Sequence, residues 1–168
     1  MTRPQHERLL WLNAVAAGNA NDCHRALGAH ISLLLQGPEP ATTACIALLM
    51  PDLIHPVVRR SPRAPLKLPT ANLGALVVED VVSLTSDDQM RLIDWFDARP
   101  KRGQVVCTAA GSLFEAVLHG VFAETLYYRL NGVLIDITLE ALRAVVNESE
   151  DLQDASDARD GGFVRQSA

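Results

Sequence analysis

Apolar residues along the chain form compact runs that alternate with stretches of helical spacing. The compact runs predict buried strands over Ile31–Gln36, Gly74–Asp80, Gln104–Thr108 and Gly132–Ile137. The helical spacing predicts helices over Pro4–Ala17, Asp22–Ala29, Ala41–Met50 and Ser112–His119. Strands that alternate with helices are typical of βαβ units. The pattern therefore predicts a three-layer α/β/α domain around a mostly parallel sheet of four or five strands.

One further helix is predicted between the second and third of these strands. Ser86 and Gln89 have the spacing of a capping box, with acidic residues between them that favour the first turn. The apolar spacing predicts that this helix buries Leu92, Ile93 and Phe96. Because a proline disfavours helical structure in the residue before it, the helix is expected to end before Pro100.

The stretch Pro51–Pro69 interrupts this alternation. It contains five prolines and four basic residues, a composition typical of a loop. A short strand is predicted inside it, either at Val57–Arg59 or at Leu66–Leu68. The local pattern leaves that choice open.

Length and composition divide the chain into three parts. The 168 residues fit one domain, predicted over 31–146, with an N-terminal helical segment, 1–30, packed on that core. The acidic end of the chain, 147–168, has few apolar residues and is predicted to be disordered.

Charge and cysteine content narrow the classes of partner. A net charge of −5 and a pI near 5.5 argue against direct nucleic-acid binding. No apolar run approaches the roughly 20 residues of a membrane span, so a cytoplasmic protein without a membrane partner is predicted. Cys23, Cys45 and Cys107 have no C-x-x-C spacing, and no metal site is predicted from them.

Four ordered segments resemble the AAA+ domain of sigma-54-dependent transcriptional activators, which are ATPases that remodel RNA polymerase. The most specific is Phe122–Asn131, FAETLYYRLN, which is similar to the family's F-R-x-D-L-Y-Y-R-L-N. Gly74–Val81 resembles the Walker B strand G-T-L-F-L-D-E-I, and Gln89–Ile93 resembles Q-x-K-L-L. Val105–Leu113 occupies the place of the family's sensor strand. The resemblance covers about residues 31–140 and implies a P-loop-NTPase-like fold.

The segment Gly37–Ala44 stands where the family has its P-loop, G-x-x-x-x-G-K-[ST]. Gly37 matches the first glycine, whereas Thr42, Thr43 and Ala44 replace the second glycine, the lysine and the hydroxyl residue. Each lost charge-assisted contact to phosphate costs roughly 1.5–3 kcal/mol.

The residues inside this segment weaken a nucleotide site further. Pro38 and Pro40 have no backbone N–H, and Glu39 adds a negative charge. The resemblance to a P-loop therefore predicts a vestigial nucleotide site, with no cofactor expected and bound ATP and magnesium doubtful.

Other positions that the family uses for catalysis also differ. Glu79 and Asp80 reverse the family's Asp-Glu pair, and Ala110 replaces the sensor asparagine. The carboxylates at the end of a buried strand have an alternative interpretation, in which they are solvated or cap the next segment. Ala123 replaces the first of two trans-acting arginines.

The second trans-acting arginine is present as Arg129, beside Tyr127 and Tyr128. Arg129 is predicted either to reach a neighbouring subunit or to pair structurally with Glu124 or with backbone carbonyls. These three residues are the candidate interaction residues. The family's sigma-contacting G-A-F-T-G-A loop is absent from the sequence, and the helical lid expected after Ile137 is predicted to be missing.

These departures lead to three hypotheses. The first is a non-catalytic pseudo-ATPase that binds a protein partner, either an intact AAA+ protein or a second copy. The second is a weak ATP or ADP sensor, with the vestigial site formed by Gly37, Thr42, Thr43, Glu79 and Asp80. The third is a receiver-like signalling domain that uses Glu79, Asp80 and a phospho-acceptor Asp136.

Overall fold

The computed structural model describes residues 20–61, 65–70, 74–98 and 103–137. In these ranges the helices are α1 Ala20–Ala29, α2 Glu39–Leu49, α3 Ser86–Asp97, α4 Leu113–Leu118 and α5 Glu124–Leu130. The strands are β1 Leu33–Gln36, β2 Val57–Arg60, β3 Ala75–Val78, β4 Gln104–Ala109 and β5 Val133–Asp136. Short 3-10 turns occupy Met50–Asp52 and Val81–Ser83.

The strands form one five-stranded sheet in the order β2-β3-β4-β1-β5, and every neighbouring pair is parallel. In the centre, Leu34 of β1 lies between Cys107 of β4 and Leu134 of β5. The predicted parallel α/β sheet is confirmed, and the number of strands in the described part of the chain is five.

Alternation of side chains along β1 divides the core between the two faces of the sheet. Leu33 and Leu35 belong to a cluster with residues of α1 and α2, while Leu34 belongs to a cluster with residues of α3, α4 and α5. Because successive strand residues point to opposite faces, helices cover the sheet on both sides. This arrangement gives the predicted three layers.

Helix α1 is the described portion of the predicted N-terminal segment. Ala26 of this helix is fully buried, and the side-chain amide of Gln104 donates to the carbonyls of Ala26 and Ile31, at 3.2 Å each. The predicted helix Pro4–Ala17, the segment after Ile137 and the acidic end 147–168 lie outside the described residues. Within the described ranges, no helix is long and apolar enough to cross a membrane.

The proline-rich stretch contains a strand at the first of its two predicted places. Val57–Arg60 forms β2, whereas Leu66–Leu68 is not a strand. Leu66 is buried instead, and its backbone N–H donates to Asp88 Oδ1 at 3.3 Å. The indole N–H of Trp95 donates to the carbonyl of Pro69 at 2.9 Å. Side chains of α3 therefore hold this segment without a strand ladder.

The start of α3 differs from the predicted capping box. Thr85, with extended backbone angles, is the N-cap, and its hydroxyl accepts the N–H of Asp88 at 3.2 Å. Ser86 is already the first helical residue. The predicted cap is wrong by one residue because the Gln89 side chain turns away from Ser86 to bond other segments.

The buried face of α3 also differs at one predicted position. Leu92 and Phe96 are buried as predicted, but Ile93 is only half-buried. Trp95 is buried in its place, because its indole packs against the 65–70 segment that it bonds.

Candidate functional site

The carboxyl ends of the parallel strands β2, β3 and β4, together with helix α2, line an open cavity of about 430 Å³. The chain runs from β1 to the far edge strand β2, and later crosses back over β1 from β4 to β5. Open α/β sheets bind ligands outside the carboxyl ends of their strands, where such connections change direction. The cavity is lined by Glu39, Thr42, Thr43, Ser61, Glu79, Asp80, Thr108 and Ala110.

Four of the five predicted vestigial-site residues line this cavity, namely Thr42, Thr43, Glu79 and Asp80. Gly37, the fifth, is not among the lining residues. Its φ is +154°, and a Cβ at this position would lie 2.1 Å from the carbonyl oxygen of Ile137. Its backbone N–H donates to the carbonyl of Ala109 at 2.9 Å. The close approach of the chain after β5 is therefore sufficient to explain this glycine.

Helix α2 begins almost directly after β1. Only Gly37 and Pro38 separate the two elements, and Pro38 is the N-cap without any side-chain capping bond. The N–H groups of Ala41 and Thr42 both donate to the carbonyl of Pro38, at 2.9 and 3.0 Å. Pro40 has no N–H. At the start of this helix, therefore, Pro38 and Pro40 have no N–H to donate, and the N–H groups of Ala41 and Thr42 are already bonded to the carbonyl of Pro38.

Glu79, which follows β3, forms an ion pair with Arg59 of the neighbouring strand β2. The Arg59 Nε donates to Glu79 Oε1 at 2.9 Å, and Arg59 Nη2 makes a second contact with the same oxygen. The backbone N–H of Glu79 also donates to the carbonyl of Arg60 at 2.9 Å. Because parallel strands place their carboxyl ends together, this pair follows from the register of β2 with β3.

Asp80 adopts the left-handed conformation, with φ 48° and ψ 58°. Its backbone N–H donates to the hydroxyl of Thr108 at 2.8 Å, and its carboxylate accepts the hydroxyl of Ser83. Aspartate tolerates this backbone conformation because its short side chain bonds locally. The carboxylate of Asp80 is accordingly engaged by its own turn, Val81–Ser83, at whose N-cap it lies.

Thr108 and Ser61 line the cavity but are missed by the sequence analysis. Thr108 lies in β4 just before Ala109 and Ala110, and Ser61 follows β2. A polar residue at the carboxyl end of a predicted parallel strand was the available signal for Thr108. Ser61 has no such signal because the sequence pattern allows two positions for its strand.

The charges around the cavity are mostly negative. Among the described residues, the lining contains the carboxylates of Glu39, Glu79 and Asp80 and no Lys, Arg or His side chain. The guanidinium of Arg59 contacts Glu79 from the adjacent strand. In the described part of the chain, no group of three or more His, Cys, Asp or Glu residues is arranged to hold a metal ion.

Cys107 lies beneath the cavity, in the centre of the sheet. Complete burial raises the pKa of its thiol far above the ordinary range. Since the thiolate is the reactive form of cysteine, this thiol is inert at neutral pH.

Arg129, on α5, pairs with Asp97 at the end of α3. The Arg129 Nη1 lies 2.6 Å from Asp97 Oδ1, and its guanidinium carbon lies 6.0 Å from the centre of the Phe96 ring. The predicted pairing with Glu124 is wrong. Glu124 precedes Arg129 by five residues, whereas helix neighbours that face each other are three or four residues apart.

The two predicted interaction tyrosines have different surroundings. The Tyr127 ring is half-buried, 5.8 Å from the Phe114 ring centre, and its hydroxyl accepts the side-chain N–H of Asn131 at 2.8 Å. The Tyr128 side chain is exposed, with its ring centre 5.3 Å from that of Tyr127. Tyr128 is therefore accessible to a partner, and the ring of Tyr127 packs against it from the less exposed side.

Asp136 does not join the acid pair of β3. Its carboxylate accepts the side-chain N–H of Gln36 at 2.7 Å. In the sheet, β4 and β1 lie between β3 and β5, a separation of about 14 Å at the usual strand spacing. The cluster of acids required by the receiver-like hypothesis is therefore not formed by these residues.

The all-parallel sheet, its order and the cavity at the strand ends define a P-loop-NTPase-like α/β domain. The family model of the sigma-54 interaction domain matches residues 52–139, which is more than half of the chain. The protein therefore belongs to the sigma-54 interaction domain family.

Solved structures share this fold at low sequence identity. NtrX from Brucella abortus, in complex with ATP, matches 82% of this chain with a TM-score of 0.57 and 13% identity. The P-loop NTPase domain of the sigma-54 transport activator from E. coli matches 70% of this chain, with a TM-score of 0.51 and 21% identity. RuvB from Thermotoga maritima matches 83%, with a TM-score of 0.58 and 15% identity.

The share of each solved structure that this chain covers differs widely. The chain spans 37% of the Brucella NtrX chain, 50% of the Thermotoga RuvB chain and 93% of the E. coli P-loop NTPase domain. At these identities the similarity is one of fold. No curated protein sequence matches the chain significantly.

Proposed function

We propose that this member of the sigma-54 interaction domain family is a non-catalytic pseudo-ATPase that acts in the cytoplasm by binding a protein partner. The partner is an intact AAA+ protein or a second copy of the chain. The observation that carries this proposal is the junction of β1 and α2, where Gly37 and Pro38 alone connect the strand to the helix.

A triphosphate is held in P-loop proteins by a loop of backbone N–H groups, a lysine and a hydroxyl that binds magnesium. In this chain the amides of Ala41 and Thr42 are bonded to Pro38. Thr43 stands where the lysine is required. The junction therefore offers a phosphate chain few of the donors that it needs.

The charge of the cavity opposes the same ligand. Three carboxylates are among the described residues that line it, no cationic side chain is among those described residues, and Glu79 is paired with Arg59. Phosphate oxygens beside Asp80 and Glu39 would meet like charges in a partly desolvated site, where the repulsion is stronger than in water. Both the missing donors and the added acids favour a domain that does not hydrolyse ATP.

The contacts of Arg129 support a structural role for that residue. An arginine finger acts by reaching the phosphates in a neighbouring subunit. Here the guanidinium joins α5 to Asp97 at the end of α3. Donation of Arg129 to another subunit requires this ion pair to open first.

Calorimetry with ATP and ADP, each with magnesium, tests the proposal directly. We expect no saturable heat up to millimolar nucleotide and no release of phosphate above the rate without protein. A family member with a complete P-loop, titrated in parallel, is the control for the assay. Saturable magnesium-dependent binding that the substitution Asp80→Asn changes would contradict the proposal.

A weak ATP or ADP sensor is the second candidate, favoured by the cavity itself. Its volume of about 430 Å³ and its place at the strand ends are typical of ligand sites. The similar structure of NtrX from Brucella abortus was solved with ATP and with ADP. Ligand-detected NMR at millimolar ADP separates the candidates, because a sensor gives contacts that Thr43→Ala and Glu79→Gln weaken.

A further inference from the structure

Helices α4 and α5 expose a group of large apolar side chains on the outer surface. Phe114, Leu118, Val121 and Tyr128 are 47%, 64%, 62% and 67% exposed, respectively. These four residues are named the α4–α5 patch. Side chains of this size on a surface indicate an interaction site when they are contiguous.

Several contacts show that the patch is contiguous. Phe114 and Leu118 are four residues apart in α4 and share one helix face. The backbone N–H of Val121 donates to the carbonyl of Ala116 at 3.0 Å, which brings Val121 back over the last turn of α4. The Tyr127 ring contacts both Phe114 and Tyr128 and so connects the two helices.

The fold does not require these side chains to be apolar. Other residues of the same helices fill the core, with Leu113 and Ala116 buried in α4 and Leu126 and Leu130 buried in α5. The patch therefore lies on the faces that the core leaves open.

Acidic side chains lie next to the patch. Glu115 precedes Leu118 by three residues and Glu124 precedes Tyr128 by four, so each shares a helix face with an apolar member. Both glutamates are exposed. The nearby cation Arg129 is turned to Asp97 and does not neutralise them. The surface is thus an apolar centre with an acidic border.

We propose that the α4–α5 patch binds an amphipathic helix of a protein partner. The helix has apolar anchors one turn apart and Lys or Arg residues beside them. Helices of this kind bind apolar surfaces through anchors at i, i+3, i+4 and i+7. Basic residues at the edge complement Glu115 and Glu124 and speed association.

The charges and the size of the patch favour such a helix over a second copy of the chain. Two copies joined by this face would bring their glutamates together, at a cost in repulsion. A stable interface between globular proteins buries about 800 Å² on each partner, more than four side chains supply. The inference rests on the proposed function, since a protein without catalysis acts through a partner.

A peptide titration of the full chain tests the proposal. The probe is a fluorescent helical peptide with leucines at i, i+4 and i+7 and lysines flanking them, followed by anisotropy at low salt. Two further peptides, one with glutamate in place of lysine and one with the leucines scrambled, keep the length and composition comparable. We expect the glutamate and scrambled peptides to bind at least tenfold more weakly than the lysine peptide.

Matched variants assign the binding to the patch. We expect Leu118→Ala and Tyr128→Ala each to weaken binding of the lysine peptide about tenfold, as truncation of an interface anchor does. Glu115→Gln with Glu124→Gln should weaken it several-fold at low salt and less at high salt. Ile54→Ala removes an exposed apolar side chain outside the patch and should leave binding unchanged.

We expect each variant to retain the fold because the substituted side chains are exposed, and circular dichroism checks this. Binding that is insensitive to Leu118→Ala and Tyr128→Ala overturns the inference, as does equal binding of all three peptides. Self-association of the chain that Leu118→Ala abolishes would assign the patch to a second copy and overturn it too. If the unaltered chain binds neither the lysine peptide nor ATP, the patch alone is refuted. If the unaltered chain binds ATP, the proposed function is refuted whatever the peptide does.

Discussion

Two regions of the molecule share a relation to sigma-54 activators but differ in what their residues contact. The β1–α2 junction, residues 36–43, is the proposed vestigial phosphate site, and the α5 segment, residues 122–131, contains the string that most specifically resembles the family. In the α5 segment, Phe122, Leu126 and Leu130 are buried, and Arg129 is paired with Asp97. In the junction, Thr43 is exposed, and the role predicted for it is in the vestigial phosphate site.

The difference explains which family residues this chain contains. Phe122, Leu126 and Leu130 of the α5 segment match the family and are buried in the core, so their replacement would disturb the fold. Thr43 of the junction is exposed, so the sheet does not require a particular side chain at this position. Fold and site are thus separable in this protein, as they are in other large fold families.

The largest difference between the regions is expected in stability. Leu126→Ala should lower the free energy of unfolding by about 2–5 kcal/mol, because it leaves a cavity in the core. Thr43→Ala, on the exposed side of α2, should change it by no more than about 0.5 kcal/mol. Urea unfolding followed by circular dichroism measures both. Equal destabilisation by the two changes would remove the distinction between the regions.

Gly37 is the residue of the junction for which a structural cost is expected. In Gly37→Ala the new Cβ meets the Ile137 carbonyl oxygen and a φ of +154° is strained, so a loss of about 1–3 kcal/mol is expected. The measurement is again urea unfolding, with Gly111→Ala as the control, since a Cβ there has nothing within 4 Å. If Gly37→Ala were as harmless as the control, the close approach after β5 would not be the reason for this glycine.

Gln89 connects the start of α3 to the α5 segment. Its buried amide donates to the carbonyls of Leu84 and Val121 and accepts the N–H of Ala123. Gln89→Ala leaves these backbone groups without their partner and should cost about 1–3 kcal/mol. In this variant, hydrogen exchange should accelerate most at the backbone amide of Ala123, which loses its acceptor. Unchanged exchange at Ala123 would show that the bond is not important for this segment.

Gln89 also shows how far a single sequence predicts the structure. Strands β1, β3, β4 and β5 and helices α1 to α4 follow from the sequence because apolar spacing is a local signal that reports which side faces the core. The sequence pattern allows two places for β2, and it does not predict the helix α5. The partners of Gln89, Arg129 and Glu79 do not follow from it either, because each lies on another element whose position depends on the assembled sheet. The same limit applies to the site. Thr42, Thr43, Glu79 and Asp80 line one cavity, and Thr108 and Ser61 become their neighbours there only through the strand order.

The Arg129–Asp97 pair should contribute a smaller amount. Both side chains are partly exposed, so a double-mutant cycle with Arg129→Met and Asp97→Asn should give a coupling free energy of about 0.2–1 kcal/mol. Raising the salt concentration should reduce the coupling because solvent ions screen the pair. A coupling of zero would leave Arg129 available to a neighbouring subunit, and the two regions would then differ less than the contacts indicate.

The smallest effect is expected from returning one family residue to the junction. Thr43→Lys restores the P-loop cation, yet Pro38 and Pro40 still lack N–H groups and the amides of Ala41 and Thr42 remain bonded to Pro38. We expect stability to change by no more than about 0.5 kcal/mol, because Thr43 is exposed. Calorimetry with ATP and magnesium should still show no saturable binding at millimolar nucleotide. If the single lysine did create such binding, the missing cation, and not the short connection between β1 and α2, would be the feature that separates this junction from a nucleotide site.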